Sequence, residues 1–332
     1  MAVYTHLGAE DLAKLIGEYD VGRLVSAKGI AEGVSNSNWL IETTRDDSED
    51  RSGTRFILTM YEYRIELSDL PFFLGLLDHL AAKGCPVPRT IHDRSGAAFR
   101  MLDDKAVALI EFLPGVSVDH PEADQARAVG EALAGIHLAS TDFAGVRPNT
   151  LGPDAWRYLA DDCGDSGLAQ IDPALPATIT AELAFLEANW PAGLPRAVIH
   201  ADLFPDNVLM LGNRVSGLID FYFACTDIVA YDLAVTHAAW CFEDDGSFRP
   251  NVSRELLAGY CAVRALSEAE WAAMPVLARG ASMRFLMTRA YDWLHTPQGA
   301  MVTRKDPLAF ARRLSFYATE GAKCFTLAEN SR

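Results

Sequence analysis

Between residues 198 and 221, Asp202, Asn207 and Asp220 are set among short apolar runs. Asp202 and Asn207 lie five residues apart in a polar loop, and Asp220 ends a later apolar stretch just before Phe221. A carboxylate among apolar residues is costly unless it is paired or binds a metal. Two carboxylates and an amide converging from a loop and an adjacent strand end supply oxygen ligands. Hard Mg²⁺ prefers such ligands, and it usually keeps waters and takes substrate phosphates for the rest of its shell. Phosphoryl transfer uses this layout: a loop Asp accepts the proton of the attacking hydroxyl, and an Asn five residues on and an Asp on the following strand hold the metal. An isolated D-x-x-x-x-N is only a turn, and Asp220 could be only a strand-end cap. His200-Ala201 before the loop, an apolar hairpin after it and Ile219-Asp220-Phe221 closing it favour the catalytic reading.

The elements that must hold these residues can be read from periodicity. Residues 9–18 suit a short amphipathic helix; 23–31, 38–43 and 56–61 read as strands; and the charged run 45–54 is expected as a solvated loop. Leu70, Phe73, Leu74, Leu77 and Leu80 recur at helical steps within 67–83, and 97–102 with 106–112 suggest a hairpin. Pro114-Gly115 breaks the pattern, which places a lobe boundary near 113. Beyond it helices are expected at about 122–140, 176–189, 228–243, 252–264, 267–294 and 307–326. The island 197–221 interrupts them as strand, loop, strand, turn and strand.

The chain of 332 residues is long enough for two domains or lobes, and its apolar half marks it as globular. A net charge of −16 disfavours nucleic acid and anionic membrane as partners. The most apolar stretch, 218–240, carries Asp220, Asp227, Asp232 and His237, which argues against a membrane span. The N-terminus has neither the basic flank nor the apolar run of a secretory signal. Six scattered cysteines with no C-x-x-C pair read as reduced thiols, and a cytoplasmic location is expected.

His200-Ala201-Asp202-Leu203-Phe204-Pro205-Asp206-Asn207 and Leu218-Ile219-Asp220-Phe221 resemble the signature of the aminoglycoside phosphotransferase and choline kinase superfamily. Tyr231-Asp232-Leu233-Ala234 and Gly130-Glu131-Ala132-Leu133-Ala134-Gly135-Ile136-His137 are similar to its downstream and upstream segments. Gly29 to Asn38, Phe56 to Glu62 and Leu70 to Leu74 narrow the resemblance to the kinase-like homoserine kinases. The resemblance implies an α+β, protein-kinase-like two-lobe fold, with a strand-rich N-lobe at 1–113 and a helical C-lobe at 114–332, and ATP expected between them. It implies ATP and Mg²⁺ as cofactors and phosphorylation of the L-homoserine hydroxyl to O-phospho-L-homoserine in threonine biosynthesis, by a monomer or homodimer. Asp202 is then the catalytic Asp, and Asn207 and Asp220 are the metal ligands. His200 holds the loop, with a general-base role as the alternative, and Asp232 braces the loop backbone from the next helix.

In the first lobe, Ser35, Asn36, Ser37 and Asn38 could turn N–H groups and hydroxyls toward phosphate oxygens, although they also suit a plain hairpin. Glu111 and Leu113 resemble a kinase hinge that pairs with adenine, or belong to a plain linker strand. The lysine of the kinase strand is missing from 56–61, where Thr59 takes its approximate place, and its Glu partner has no clear counterpart. Neutralisation must then come from Mg²⁺, loop amides or a basic residue such as Arg64.

Homoserine is a zwitterion and needs a cation for its carboxylate; Arg suits that role. Arg284, Thr288 and Asp292 step by four on one expected helix, which also carries Arg289. Arg284, Arg289 and Asp292 are candidate substrate contacts, but the same spacing suits an internal helix ion pair, Arg289 to Asp292 included. Trp240 could wall the pocket or pack in the core. Another small amino alcohol or an aminoglycoside as acceptor, and a non-catalytic nucleotide-binding pseudokinase, are the competing readings.

Overall fold

The computed structural model describes residues 7–30, 36–44, 53–62, 65–296 and 304–325. The chain divides into two compact units: Met1–Gly115 with Phe143–Gly145, and Val116–Asp142 with Val146–Arg332.

The first unit is an antiparallel sheet with two helices. In chain order it holds α1 (Ala9–Ile16), β1 (Arg23–Ile30), β2 (Asn36–Thr44), β3 (Thr54–Tyr61), α2 (Leu70–Ala82), β4 (Thr90–Ile91), β5 (Arg100–Leu102) and β6 (Lys105–Glu111). The strand order is β1-β2-β3-β6-β4, and β5 pairs with β6. Register explains the alternation in β2. Trp39 lies opposite Leu58 and Leu58 opposite Leu109, so these apolar residues share the face that packs with Leu12, Leu15 and Ile16 of α1. The other face carries Asn38 opposite Thr59 and Thr59 opposite Ala108.

The second unit is mainly helical: α3 (Ala123–Ala139), α4 (Pro153–Ile171), α5 (Leu175–Asn189), β7 (Arg196–Ile199), β8 (Val208–Leu211), β9 (Arg214–Leu218), β10 (Cys225–Ile228), α6 (Val229–Trp240), α7 (Pro250–Val263), α8 (Glu268–His295) and α9 (Leu308–Cys324). Every residue of α6 is buried, Asp232, Thr236 and His237 included, and the rest of its sequence is apolar or aromatic all round. Ser267 opens α8 with a reciprocal capping box to Glu270. Helices α3 and α7 touch at two glycines: a Cβ on Gly130 would come within 2.2 Å of the Leu256 carbonyl oxygen, and one on Gly259 within 2.1 Å of that of Arg127. Among the described residues no helix is long and apolar enough to cross a membrane.

Two elements escape the periodicity reading. Helix α4 is polar and broken at Gly164 (φ 62°, ψ 155°), so no apolar stripe runs its length. Strand β10 is only four residues long and pairs antiparallel with β7, Cys225 opposite Ile199. The loop expected over 45–54 lies outside the described residues as far as 52, and Thr54 already belongs to β3.

Candidate active site

The loop carrying Asp202 leaves β7 through an unusual backbone. Ala201 adopts φ 65°, a left-handed conformation that a residue with a Cβ takes up only when its surroundings impose it. Asp232, fully buried in the first turn of α6, supplies the constraint. Its Oδ2 accepts the His200 N–H and its Oδ1 the Ala201 N–H, both at 2.7 Å. The Arg284 guanidinium on α8 donates to the Ala201 carbonyl. Trp240 on α6 donates its indole N–H to the Leu203 carbonyl at 2.9 Å.

Asp232 is held in turn by His137, whose Nε2 lies 2.9 Å from Oδ2, while His137 Nδ1 lies 2.9 Å from the Tyr260 hydroxyl. Burial pushes the Asp232 carboxyl up, but these donors outweigh it and hold the group below its usual range.

Inside the loop, Phe204 N–H donates to the Asp202 carbonyl at 2.8 Å. Asn207 then closes the turn: its side-chain amide donates to the Asp202 carbonyl at 2.7 Å and reaches the Asp202 carboxylate at 3.3 Å. The β8–β9 hairpin brings Asp220 back to this loop, because Ile219 N–H donates to the Asn207 carbonyl at 3.0 Å. Asp220 takes φ 64°, ψ 58°, so both candidate acids sit at or next to a left-handed residue.

His200 is committed on both ring nitrogens. Nε2 donates to the Ile219 carbonyl at 2.9 Å and Nδ1 accepts the Asp202 N–H at 3.2 Å, which leaves neither free to take a proton from a substrate. The ring packs against Phe221 at 4.4 Å between centroids, and burial lowers its basicity. The general-base alternative for His200 is thereby set aside.

Burial pushes the Asp202 carboxyl up to about 7, with Asp220 and Asp206 adding and Arg284 and Lys305 opposing. Asp220 is exposed, yet the surrounding protein and Asp206 push it up to about 6. Among the described residues neither acid has a cationic side chain within ion-pair distance. The donor set is a carboxylate and an amide with a second carboxylate beside them. Among the described residues no three His, Cys, Asp or Glu side chains form a ready-made cage. Such a set fits Mg²⁺ completed by water and phosphate, not an all-protein Zn²⁺ or Ca²⁺ site.

Three substrate contacts were expected from α8, and the structure separates them. Arg284 is 1 % exposed and donates to the loop backbone, with its guanidinium 4.7 Å from the Phe285 ring centre. Asp292, two turns on, is exposed, because the helix leaves the core between them. Arg289 does line a cavity of about 230 Å³ beside the Asp202 loop, together with Phe204, Trp240, Glu243, Asp244 and Arg313. Arg313 comes from α9, which no local pattern connects to Asp202. Trp240 both lines this cavity and holds the loop.

In the first unit, Ser35 and Arg64 lie outside the described residues. Ser37 is fully buried and donates its hydroxyl to Glu62 at 2.6 Å, and Glu62 pairs with Lys105; the hydroxyl therefore serves the fold, contrary to the phosphate contact expected of it. Asn38 accepts the Thr59 hydroxyl at 2.8 Å, and Asn36 is 6 % exposed with its Oδ1 unpartnered among the described residues. Glu111 holds Arg89 through two contacts of 3.1 Å beside a cavity of about 660 Å³, and Leu113 is half-buried.

Comparison with known proteins places this geometry in a family. The model of the phosphotransferase enzyme family matches residues 26–266. The chain is 51% identical over 317 residues to a homoserine kinase of Rhizobium johnstonii, covering 96% of both chains. It is 50% identical over 329 residues to one of Xanthobacter autotrophicus, covering 99% of this chain and 100% of the other. Among solved structures it resembles a spectinomycin phosphotransferase in complex with ADP and spectinomycin (TM-score 0.70, 13% identity, 96% of this chain and 100% of that one). It also resembles a microcompartment-associated aminopropanol kinase (TM-score 0.66, 19% identity, 96% and 99%).

Proposed function

Because the chain belongs to the phosphotransferase enzyme family and to the homoserine kinases within it, we propose that it transfers the γ-phosphoryl group of ATP to the hydroxyl of L-homoserine, giving O-phospho-L-homoserine for threonine biosynthesis. The observation that carries the chemistry is the closed loop in which the Asn207 amide fixes the Asp202 carboxylate while Asp232 and Arg284 hold the backbone behind it.

Asp202 orients the acceptor hydroxyl and takes its proton as the oxygen attacks phosphorus. A carboxyl pushed up to about 7 is better matched to proton transfer near neutral pH than an ordinary one. Asn207 and Asp220 would hold Mg²⁺, which when bound neutralises charge on phosphate oxygens. The Asn207 amide has two donors and one acceptor; with the donors engaged on Asp202, its Oδ1 remains for the metal. Asn36 and Asn38 are the first-unit residues proposed near phosphate, and Glu111 and Leu113 those near adenine. The enzyme is proposed to act in the cytoplasm as a monomer or homodimer.

The test is an ADP-release assay with L-homoserine, choline and kanamycin in parallel. Turnover with L-homoserine at an efficiency at least about 10²-fold above the others is expected, a margin set by polar groups left unpaired with the wrong acceptor. Turnover with choline or kanamycin alone would replace the acceptor, and no turnover with any would remove the enzyme reading.

A further inference from the structure

The 230 Å³ cavity beside the Asp202 loop, inside the second unit, is lined by two arginines that have no ion-pair partner among the described residues. Among the described residues Arg313, 9 % exposed, makes no hydrogen bond and has a buried Nε with no partner. Arg289 donates to the Asp306 carbonyl at 3.2 Å. No carboxylate lies within 4 Å of either guanidinium among the described residues. Both stack on one ring, their guanidinium carbons 4.5 Å and 4.4 Å from the centre of Phe310. Two cations around one ring repel each other, and a buried charge is normally paired. Burial first and Arg313 second push Arg289 down to about 10, against the weaker attraction of Asp306, Asp202 and Asp206.

The same cavity also carries acids, of which Asp244 lies near enough to Arg313 to attract it. Asp119 and Asp244 are exposed at its edge, and Glu243 is half-buried and shared with Arg249 at 2.9 Å. Its third boundary is the catalytic loop itself, through Phe204 and Pro205, two and three residues after Asp202.

We propose that this cavity is the acceptor subsite, with the carboxylate of the amino acid held by Arg289 and Arg313 and its ammonium turned toward Asp119, Glu243 and Asp244. The inference rests on the homoserine kinase reading and adds the residues that select the acceptor. A zwitterion satisfies the arginines and the acids at once, whereas a polyphosphate would be repelled by the acids. The volume is below the range of roughly 300–1,000 Å³ typical of drug-sized ligands, which suits a small amino acid better than an aminoglycoside. Arg313 thereby gains the anion its burial demands.

The experiment compares L-homoserine with 3-aminopropan-1-ol, which keeps the hydroxyl and ammonium and lacks the carboxylate. KM and kcat for both, and KM for ATP, are measured for the wild type, Arg289→Met, Arg313→Met and Arg313→Lys. Each Met variant is expected to raise the homoserine KM about 10- to 100-fold, the loss of a charge-assisted bond. Efficiency with 3-aminopropan-1-ol and the KM for ATP should stay within about twofold, and Arg313→Lys should recover part of the loss. Should Arg313→Met not fold, Arg289→Met and the wild type's preference for homoserine over 3-aminopropan-1-ol still decide the matter. Equal losses with both acceptors, a changed KM for ATP alone, or a homoserine KM within threefold of wild type would overturn the subsite while leaving the kinase reading in place. A wild-type protein inactive on homoserine but active on another alcohol would overturn the reading beneath it, and the subsite with it.

Discussion

Removing the Asp232 carboxylate should cost both stability and turnover. Asp232 is fully buried and accepts three N–H donors: His200 N and Ala201 N at 2.7 Å and His137 Nε2 at 2.9 Å. Asp232→Ala leaves all three without an acceptor, and each orphaned buried donor costs about 1–3 kcal/mol. A water entering the vacated space recovers part, so the expected loss is about 3–6 kcal/mol. That is a large share of the roughly 5–15 kcal/mol of a typical domain. Asp232→Asn keeps one oxygen but turns an NH₂ toward an N–H, for an expected loss of about 2–4 kcal/mol. The carboxyl is held below its usual range in the fold, so its contribution is fully present above the unfolded pKa of about 3.9 and is lost as pH falls through the lower folded value. Denaturant unfolding at pH 7, followed by tryptophan fluorescence, measures the loss. The same variants should lower kcat, because the left-handed Ala201 that aims Asp202 then loses one of its two tethers, a conformation costing about 1–3 kcal/mol to hold. A stability within about 1 kcal/mol of wild type for Asp232→Ala would refute the hydrogen-bond accounting. An unchanged kcat in the folded variant would refute the link from Asp232 to the loop.

Three further outcomes are expected. Asp202→Asn should lower kcat by about 10³-fold or more while changing the KM for ATP far less, since the proton acceptor is gone and the fold is not; steady-state kinetics check this. His237 is buried between the Tyr317 and Ser253 hydroxyls and burial pushes it down to about 3. The unfolded chain therefore binds a proton that the fold refuses, and stability should fall by about 1.4 kcal/mol per pH unit between about 6.5 and 3. His237→Gln should flatten that slope when unfolding free energies are compared at pH 7 and pH 5, and an equal slope would mean that other groups set it. Gly259→Ala puts a methyl against the Arg127 carbonyl oxygen and must part α3 from α7; a loss of at least about 3 kcal/mol, or failure to fold, should appear in the same unfolding assay.

That Asp202, Asn207 and Asp220, the proposed site residues, lie near one another was legible along the chain, because they sit on one short loop and hairpin where spacing sets proximity. The β-rich and helical halves were legible for a similar reason, since apolar periodicity is a local property. Helix α4 was not, because its broken, polar sequence carries no stripe. The shared helix face of Arg284 and Asp292 misled, because a helix period says which residues align but not where the helix leaves the core. What lies behind the loop belongs to the tertiary structure alone. Asp232 meets His137 across 95 residues, and Arg284 meets Ala201 across 83. Arg289 and Arg313 converge on Phe310 from two helices. By itself the sequence determined which groups are brought together on the loop and hairpin proposed to do the chemistry. Folding decided which backbone is held strained, which histidine is spent on structure and which arginines remain unpaired, because burial and hydrogen bonding are properties of neighbours in space.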